Sequence, residues 1–96
     1  MIASFGDKAT EALFNGYPAK DIRRFPPSIL KGALRKLDML NAAVDLRDLK
    51  SPPNNHLEAL ERDLADFHSI RVNDQWRLVF RWQGSEAFEV RLTDYH

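Results

Sequence analysis

The chain has 96 residues, and its 14 basic and 14 acidic residues give a formal net charge of zero, which argues mildly against a nucleic acid as partner. Hydrophobic residues make up 44% and cysteine is absent, which excludes a disordered chain, disulfides, thiolate zinc sites and thiol nucleophiles. No segment reaches the roughly 20 apolar residues that span a bilayer, and the N-terminus lacks the regions of a signal peptide. We therefore expect one soluble cytoplasmic domain over residues 1–96 with no membrane partner.

The N-terminal third begins with an apolar run over residues 1–5, which predicts an edge strand. Asp7 is a good N-cap and Gly16 a good C-terminal stop, so a helix of about two turns is expected between them. Residues 19–24 predict a further helical turn before two prolines interrupt the chain.

The clearest helical pattern runs from Ser28 to about Val44. Apolar residues recur there at spacings of three and four, while Lys31, Arg35 and Lys36 lie on the other side. A helix with a single apolar side should lie across a sheet, and we interpret its basic residues as a solvated face.

The C-terminal third alternates apolar and polar residues over three segments, 67–72, 76–82 and 86–93, which predicts three strands. Residues 57–60 predict a weaker strand before them. The rows expected to face the core are His68, Ile70 and Val72; Trp76, Leu78, Phe80 and Trp82; and Phe88, Val90 and Leu92. The opposite rows carry four arginines, namely Arg71, Arg77, Arg81 and Arg91.

The loop lengths decide which arginines are neighbours. A three-residue loop at 73–75 pairs Arg71 with Arg77, and a three-residue loop at 83–85 would pair Arg77 with Arg91. The prediction is a row of three arginines across the sheet with no carboxylate inside it. Like charges set opposite one another destabilise a sheet, so such a row is expected where an anion binds. The alternative is that the arginines extend into water or pair with Glu89 and with a helix.

The predicted fold class is α+β, a small domain with two to three N-terminal helices on a three- to four-stranded antiparallel sheet. The phosphate-binding G-x-x-x-x-G-K, the nucleophile G-x-S-x-G and the zinc motif H-E-x-x-H are all missing. The three histidines are too dispersed to indicate a metal site. We therefore predict neither a metal nor a cofactor.

The chain ends on Asp94, Tyr95 and His96, which continue the third strand beyond Arg91. Metal-free cleavage of RNA needs one group to take the 2′-hydroxyl proton, one to protonate the departing 5′-oxygen and cations around the phosphate. Histidine suits proton transfer near neutral pH, and nearby cations favour the ionised form of a tyrosine. The alternative for this tail is a frayed terminus.

The segments RRFPPSILKGALRKLDML, LEALERD, SIRVNDQWRLVFRW and the final DYH together resemble the HigB branch of the RelE/ParE toxin superfamily. The resemblance implies a RelE-like fold and a bacterial toxin that enters the ribosomal A site and cuts messenger RNA. It also implies a helix-turn-helix, HigA-like antitoxin as partner, with operator DNA contacted only through that antitoxin.

The resemblance also assigns roles to residues. Arg77 matches the sheet arginine that holds the scissile phosphate, Tyr95 and His96 match the proton-transfer groups, and Asp94 accompanies them. Arg71 matches a position that is basic in several relatives. Arg91 and Arg81 are assigned to RNA binding by the strand pattern and not by the resemblance. Some relatives have a functional histidine where this chain has Glu58, and His56 is the candidate replacement. Relatives commonly read L-K-G-D where this chain has Leu60, Glu61, Arg62 and Asp63.

The leading hypothesis is a ribosome-dependent endoribonuclease that uses attack by the 2′-hydroxyl and needs no metal. One alternative is a non-enzymatic inhibitor of DNA gyrase, like the ParE branch. The other is a weakened relative that acts mainly as an antitoxin-binding partner, for which Glu61 and Arg62 are the motivation.

Overall fold

A computed structural model describes residues 1–94 as an α+β arrangement, which confirms the predicted fold class. Two helices precede one antiparallel sheet in the order β1-β2-β3-β4. The elements are α1 (Lys8–Asn15), α2 (Pro27–Ala42), β1 (Glu58–Ala59), β2 (Phe67–Arg71), β3 (Trp76–Gln83) and β4 (Glu86–Asp94). Short 3₁₀ turns lie at Ala19–Ile22, Leu46–Lys50, Pro53–Asn55 and Arg62–Leu64. None of the helices in the described part of the chain is long and apolar enough to cross a membrane.

Helix α1 begins and ends where the sequence predicts. The Asp7 carboxylate accepts the Thr10 backbone N–H at 2.8 Å, and Gly16 ends the helix with a φ of 73°. The first residues do not form a regular edge strand. They run beside β4 through isolated parallel bridges, Ile2 with Ala87 and Phe5 with Val90, and so tie the N-terminus to the last strand.

Helix α2 packs its apolar side onto the sheet. Leu37 and Leu40 are fully buried in one cluster with Leu78 and Phe80. The predicted apolar stripe extends too far, because the helix ends at Ala42 and Val44 is 72% exposed.

Lys36 is not part of a solvated face, contrary to the sequence interpretation. The loop after α2 covers it, and its ammonium donates a hydrogen bond to the Asn55 side-chain oxygen. Burial, followed by the nearby Arg35 charge, lowers the pKa of Lys36 below its ordinary value. Asn55 is itself fully buried and donates to the carbonyls of Leu49 and Ser51 at 3.1 and 3.3 Å.

The β3–β4 hairpin departs from the predicted register. Gln83 pairs with Glu86, so the turn has two residues, and Phe88 lies opposite Arg81 on the face away from α2. A β-bulge then adds one residue, Glu89, which has a φ of 54°. The bulge reverses the alternation, so that Val90 returns to the core.

Candidate nucleic-acid interface

Four arginines, Arg71, Arg77, Arg81 and Arg91, project from the sheet face that is opposite α2, and we call this surface the arginine face. Arg71 lies directly opposite Arg77, as predicted. Arg91 lies opposite Val79, whereas the residue opposite Arg77 is Thr93. The predicted pairing of Arg77 with Arg91 is therefore wrong, because the two-residue turn and the one-residue bulge each shift the register of β4 by one residue. The two arginines still share the face as diagonal neighbours, at about 7–8 Å by the usual geometry of a sheet.

Arg77 is the most firmly held side chain on the arginine face. Its Nε donates to the hydroxyl of the fully buried Ser69 at 2.8 Å, and its Nη2 donates to the backbone carbonyl of His56 at 2.6 Å. Only 11% of the side chain is exposed. Its guanidinium is thus fixed before any ligand arrives, which is the property expected of a preorganised anion-binding group.

Glu58 contacts the same guanidinium and was not among the residues that the sequence assigned to the site. Its Oε1 lies 3.9 Å from Arg77 Nη2, and the side chain is 54% exposed. Strand β1 has two residues, which is too short for alternation to show which face a side chain occupies. The pairing of Glu58 with Ser69 settles its place next to Arg77.

Two other arginines of the face are paired with carboxylates from nearby turns and strands. Arg71 forms an ion pair with Asp74 in the β2–β3 turn. Arg81 lies 3.1 Å from Glu89 Oε2 and over the ring of Phe88, at 5.2 Å from the ring centre. The prediction of a row without carboxylates is therefore wrong. The alternative of pairing with Glu89 holds for Arg81, whereas the partner of Arg71 is a turn residue that the sequence pattern did not indicate.

Arg91 differs from the other three arginines of the face, because its side chain forms no ion pair or hydrogen bond with any of residues 1–94. It lines a cleft of about 380 Å³ on the arginine face, together with Arg24 from the turn before α2. The side chains of Leu64 and Val79 supply apolar surface to the same cleft.

The C-terminal residues are described only as far as Asp94. Its Oδ2 accepts a hydrogen bond from the Gln75 amide at 3.0 Å, and its backbone pairs with Trp76 beside Arg77. Tyr95 and His96 lie outside the described residues, and their assignment stays a prediction.

His56 could replace a histidine at position 58 only if both positions lay on one strand. The structure does not place His56 on a strand. It ends a 3₁₀ turn with a φ of 45° and is exposed, and the group that it offers to the site is its backbone carbonyl. Among residues 1–94, no group of three His, Asp or Glu side chains is placed to hold a metal ion.

Comparison with known proteins defines the class of this protein. The family model described as "RelE-like toxin of type II toxin-antitoxin system HigB" matches residues 3–96. The chain therefore belongs to the HigB-like toxin family.

Particular relatives agree with this assignment. The chain is 40% identical over 92 residues to Toxin HigB-1 of Vibrio cholerae, covering 96% of this chain and 95% of the relative. It is 44% identical over 69 residues to an uncharacterized protein of Haemophilus influenzae, covering 72% and 68% of the two chains. It is 28% identical over 101 residues to the Endoribonuclease HigB of Proteus vulgaris, across the full length of both.

Proposed function

We propose that this toxin is an endoribonuclease that cuts messenger RNA in the ribosomal A site. The observation that carries the proposal is the fixed guanidinium of Arg77 on the arginine face, next to the strand end that leads into Asp94, Tyr95 and His96. The endoribonuclease name of the Proteus vulgaris relative supports the reaction type.

The proposed step is an internal phosphoryl transfer. The 2′-oxygen loses its proton and forms a bond to the neighbouring phosphorus, the bond from phosphorus to the 5′-oxygen breaks, and the 5′-oxygen takes up a proton. Arg77 balances the charge of the phosphate, and Tyr95 and His96 exchange the two protons. All of these roles are filled by side chains of the toxin, so we propose a reaction that is independent of metals and cofactors.

The remaining arginines extend the contact with the RNA strand. Arg71 and Arg81 each have a carboxylate partner, so RNA must compete with that partner. Arg91 does not face this competition among residues 1–94. The family further supports a cognate antitoxin, which we propose to be a helix-turn-helix protein of the HigA kind, and a cytoplasmic site of action.

The test is message cleavage in a cell-free translation reaction. We expect Arg77→Gln to lower the cleavage rate by about 100-fold or more, as is typical when a preorganised charge-stabilising group is removed. Arg47→Gln is the matched control, because Arg47 is an exposed arginine whose partner is Asp45, far along the chain from the arginine face. Cleavage by Arg77→Gln at the wild-type rate would contradict the proposal.

A weakened toxin that mainly binds its antitoxin is the second candidate. The carboxylate partners of Arg71, Arg77 and Arg81 favour it, since they reduce the positive charge available to RNA. Growth of cells that express the toxin without its antitoxin distinguishes the two candidate functions. Unimpaired growth supports the weakened toxin, and growth arrest that Arg77→Gln abolishes supports the nuclease.

A further inference from the structure

The cleft between Arg24 and Arg91 has the features of a binding site, of which the assignments above use only Arg91. Its volume is about 380 Å³, which is within the usual range for small-molecule sites. Arg24 comes from the segment after the Ala19–Ile22 turn and Arg91 from β4, so residues far apart in sequence converge on it.

The charges in the cleft favour an anion. Arg91 has no acidic partner among residues 1–94, and the nearest carboxylate to Arg24, that of Asp7, is 3.9 Å away. The other oxygen of Asp7 already accepts the N–H of Thr10 as the cap of α1. The cleft therefore holds two guanidinium groups and one carboxylate, and one oxygen of that carboxylate is already engaged by the helix cap. Guanidinium groups are well suited to phosphate oxygens.

The position of the cleft points to a particular phosphate. Arg91 is two residues along β4 from Thr93, the residue opposite Arg77, which places the two arginines on one face at about 7–8 Å. A strand of RNA that has one phosphate at Arg77 can therefore present a neighbouring phosphate at Arg91. The half-buried side chain of Leu64 is available to the intervening sugar and base, whereas Val79 is only 2% exposed and lies at the base of the cleft.

We propose that Arg24 and Arg91 bind a backbone phosphate of the messenger RNA next to the one that is cleaved. This inference rests on the proposed function and assigns the cleft as a second phosphate subsite of the same RNA strand. It adds Arg24 and Leu64 to the RNA-binding surface.

The experiment measures the affinity of the toxin for ribosomes programmed with a message that carries uncleavable 2′-O-methyl groups in the A-site codon. We expect Arg24→Gln and Arg91→Gln each to weaken binding by about tenfold, as for the loss of one charge-assisted contact. The double variant should also reduce the salt dependence by about 0.7 in the log-log slope, the value for one phosphate of a single strand. Arg23→Gln is the matched control, since Arg23 is an exposed neighbour that does not line the cleft.

A second set of messages identifies the phosphate. Each message carries one uncharged methylphosphonate linkage, and we expect one linkage next to the scissile phosphate to weaken wild-type binding but not the binding of Arg91→Gln. The proposal is overturned if Arg24→Gln and Arg91→Gln bind as tightly as wild type. It is overturned as well if the variants bind more weakly but each methylphosphonate linkage changes the affinity of wild type and of Arg91→Gln by the same factor, because the phosphate would then belong to ribosomal RNA. It is also overturned if the variants lose affinity only for the antitoxin. Failure of wild type itself to bind would contradict the proposed function instead.

Discussion

At the scale of single residues, the site depends on how Arg77 is held. The Ser69 hydroxyl and the His56 carbonyl fix its direction, while the Glu58 carboxylate partly neutralises it. The first two contacts prepare Arg77 for a phosphate, and the third competes with one. We propose that the balance between them sets how strongly the site binds RNA.

Removing the competing carboxylate should strengthen binding. We predict that Glu58→Gln raises the affinity for programmed ribosomes by about threefold. A charge at 3.9 Å from Arg77 Nη2 is worth about 1 kcal/mol in water, and the half-exposed side chain is screened further. Glu61→Gln makes the same change in net charge at an exposed position of the adjacent loop and should have less effect. Weaker binding by Glu58→Gln would show that the carboxylate contributes to RNA recognition.

The backbone conformation of Arg62 predicts how its substitution changes the stability of the fold. It has a φ of 59°, a conformation that costs a residue with a Cβ about 1 kcal/mol and glycine much less. Arg62→Gly should therefore increase the free energy of unfolding by about 0.5–1 kcal/mol in urea denaturation. Arg62→Ala removes the same side chain but keeps the Cβ, so no such gain is expected. Equal stability of the two variants would mean that the strain is absent.

At the scale of elements, the loop after α2 is joined to the helix through a polar contact in the interior. Asn55 accepts a hydrogen bond from Lys36 and donates to the carbonyls of Leu49 and Ser51. The same loop leads into His56, whose carbonyl holds Arg77. The packing of this loop therefore positions part of the candidate site.

Breaking this contact should destabilise the fold in a pH-dependent way. We predict that Asn55→Ala lowers the free energy of unfolding at neutral pH by about 3 kcal/mol, because it leaves a buried ammonium and buried carbonyls without partners. The pKa of Lys36 is already lowered by burial, and loss of Asn55 should lower it further. The unfolded chain then binds more protons than the folded chain at alkaline pH, so the stability of the variant should recover as the pH rises.

The measurement is urea denaturation at neutral and alkaline pH. Asn54→Ala is the control, since Asn54 is exposed and its loss should change the stability by no more than about 0.5 kcal/mol. A loss of stability in Asn55→Ala that does not change with pH would contradict the role given to Lys36.

The elements also show why the register of the last hairpin could not be predicted. Alternation alone predicts that Phe88, Val90 and Leu92 share one face, which requires a loop of odd length. In the structure Phe88 packs under Arg81 on the arginine face, and the bulge at Glu89 restores the alternation. A bulge adds one residue without changing the apolar pattern around it, so periodicity alone does not reveal it.

At the scale of the whole molecule, the zero net charge hides an uneven distribution. Four arginines share one sheet face, and three of them have carboxylate partners. Net charge thus predicts little about the partner of this protein, because the placement of charges decides which surface attracts a phosphate.

Much of this architecture follows from the sequence. The caps Asp7 and Gly16 predict the bounds of α1. The alternation in β2 and β3 predicts these strands, their order and the pairing of Arg71 with Arg77. The contacts of Arg77 do not follow, since they come from a two-residue strand and from the backbone of a loop. Such contacts depend on three-dimensional packing and have no periodic signature.

We propose that the toxin cuts messages on the ribosome with Arg77 and its C-terminal residues. The most direct test is to map message ends in a cell-free translation reaction with wild-type toxin and with a variant that lacks His96. We predict cuts within the A-site codon that leave a 2′,3′-cyclic phosphate, a strong reduction without His96, and no cutting of the same message without ribosomes. Equal cleavage by both proteins, or equal cleavage of free RNA, would contradict the account.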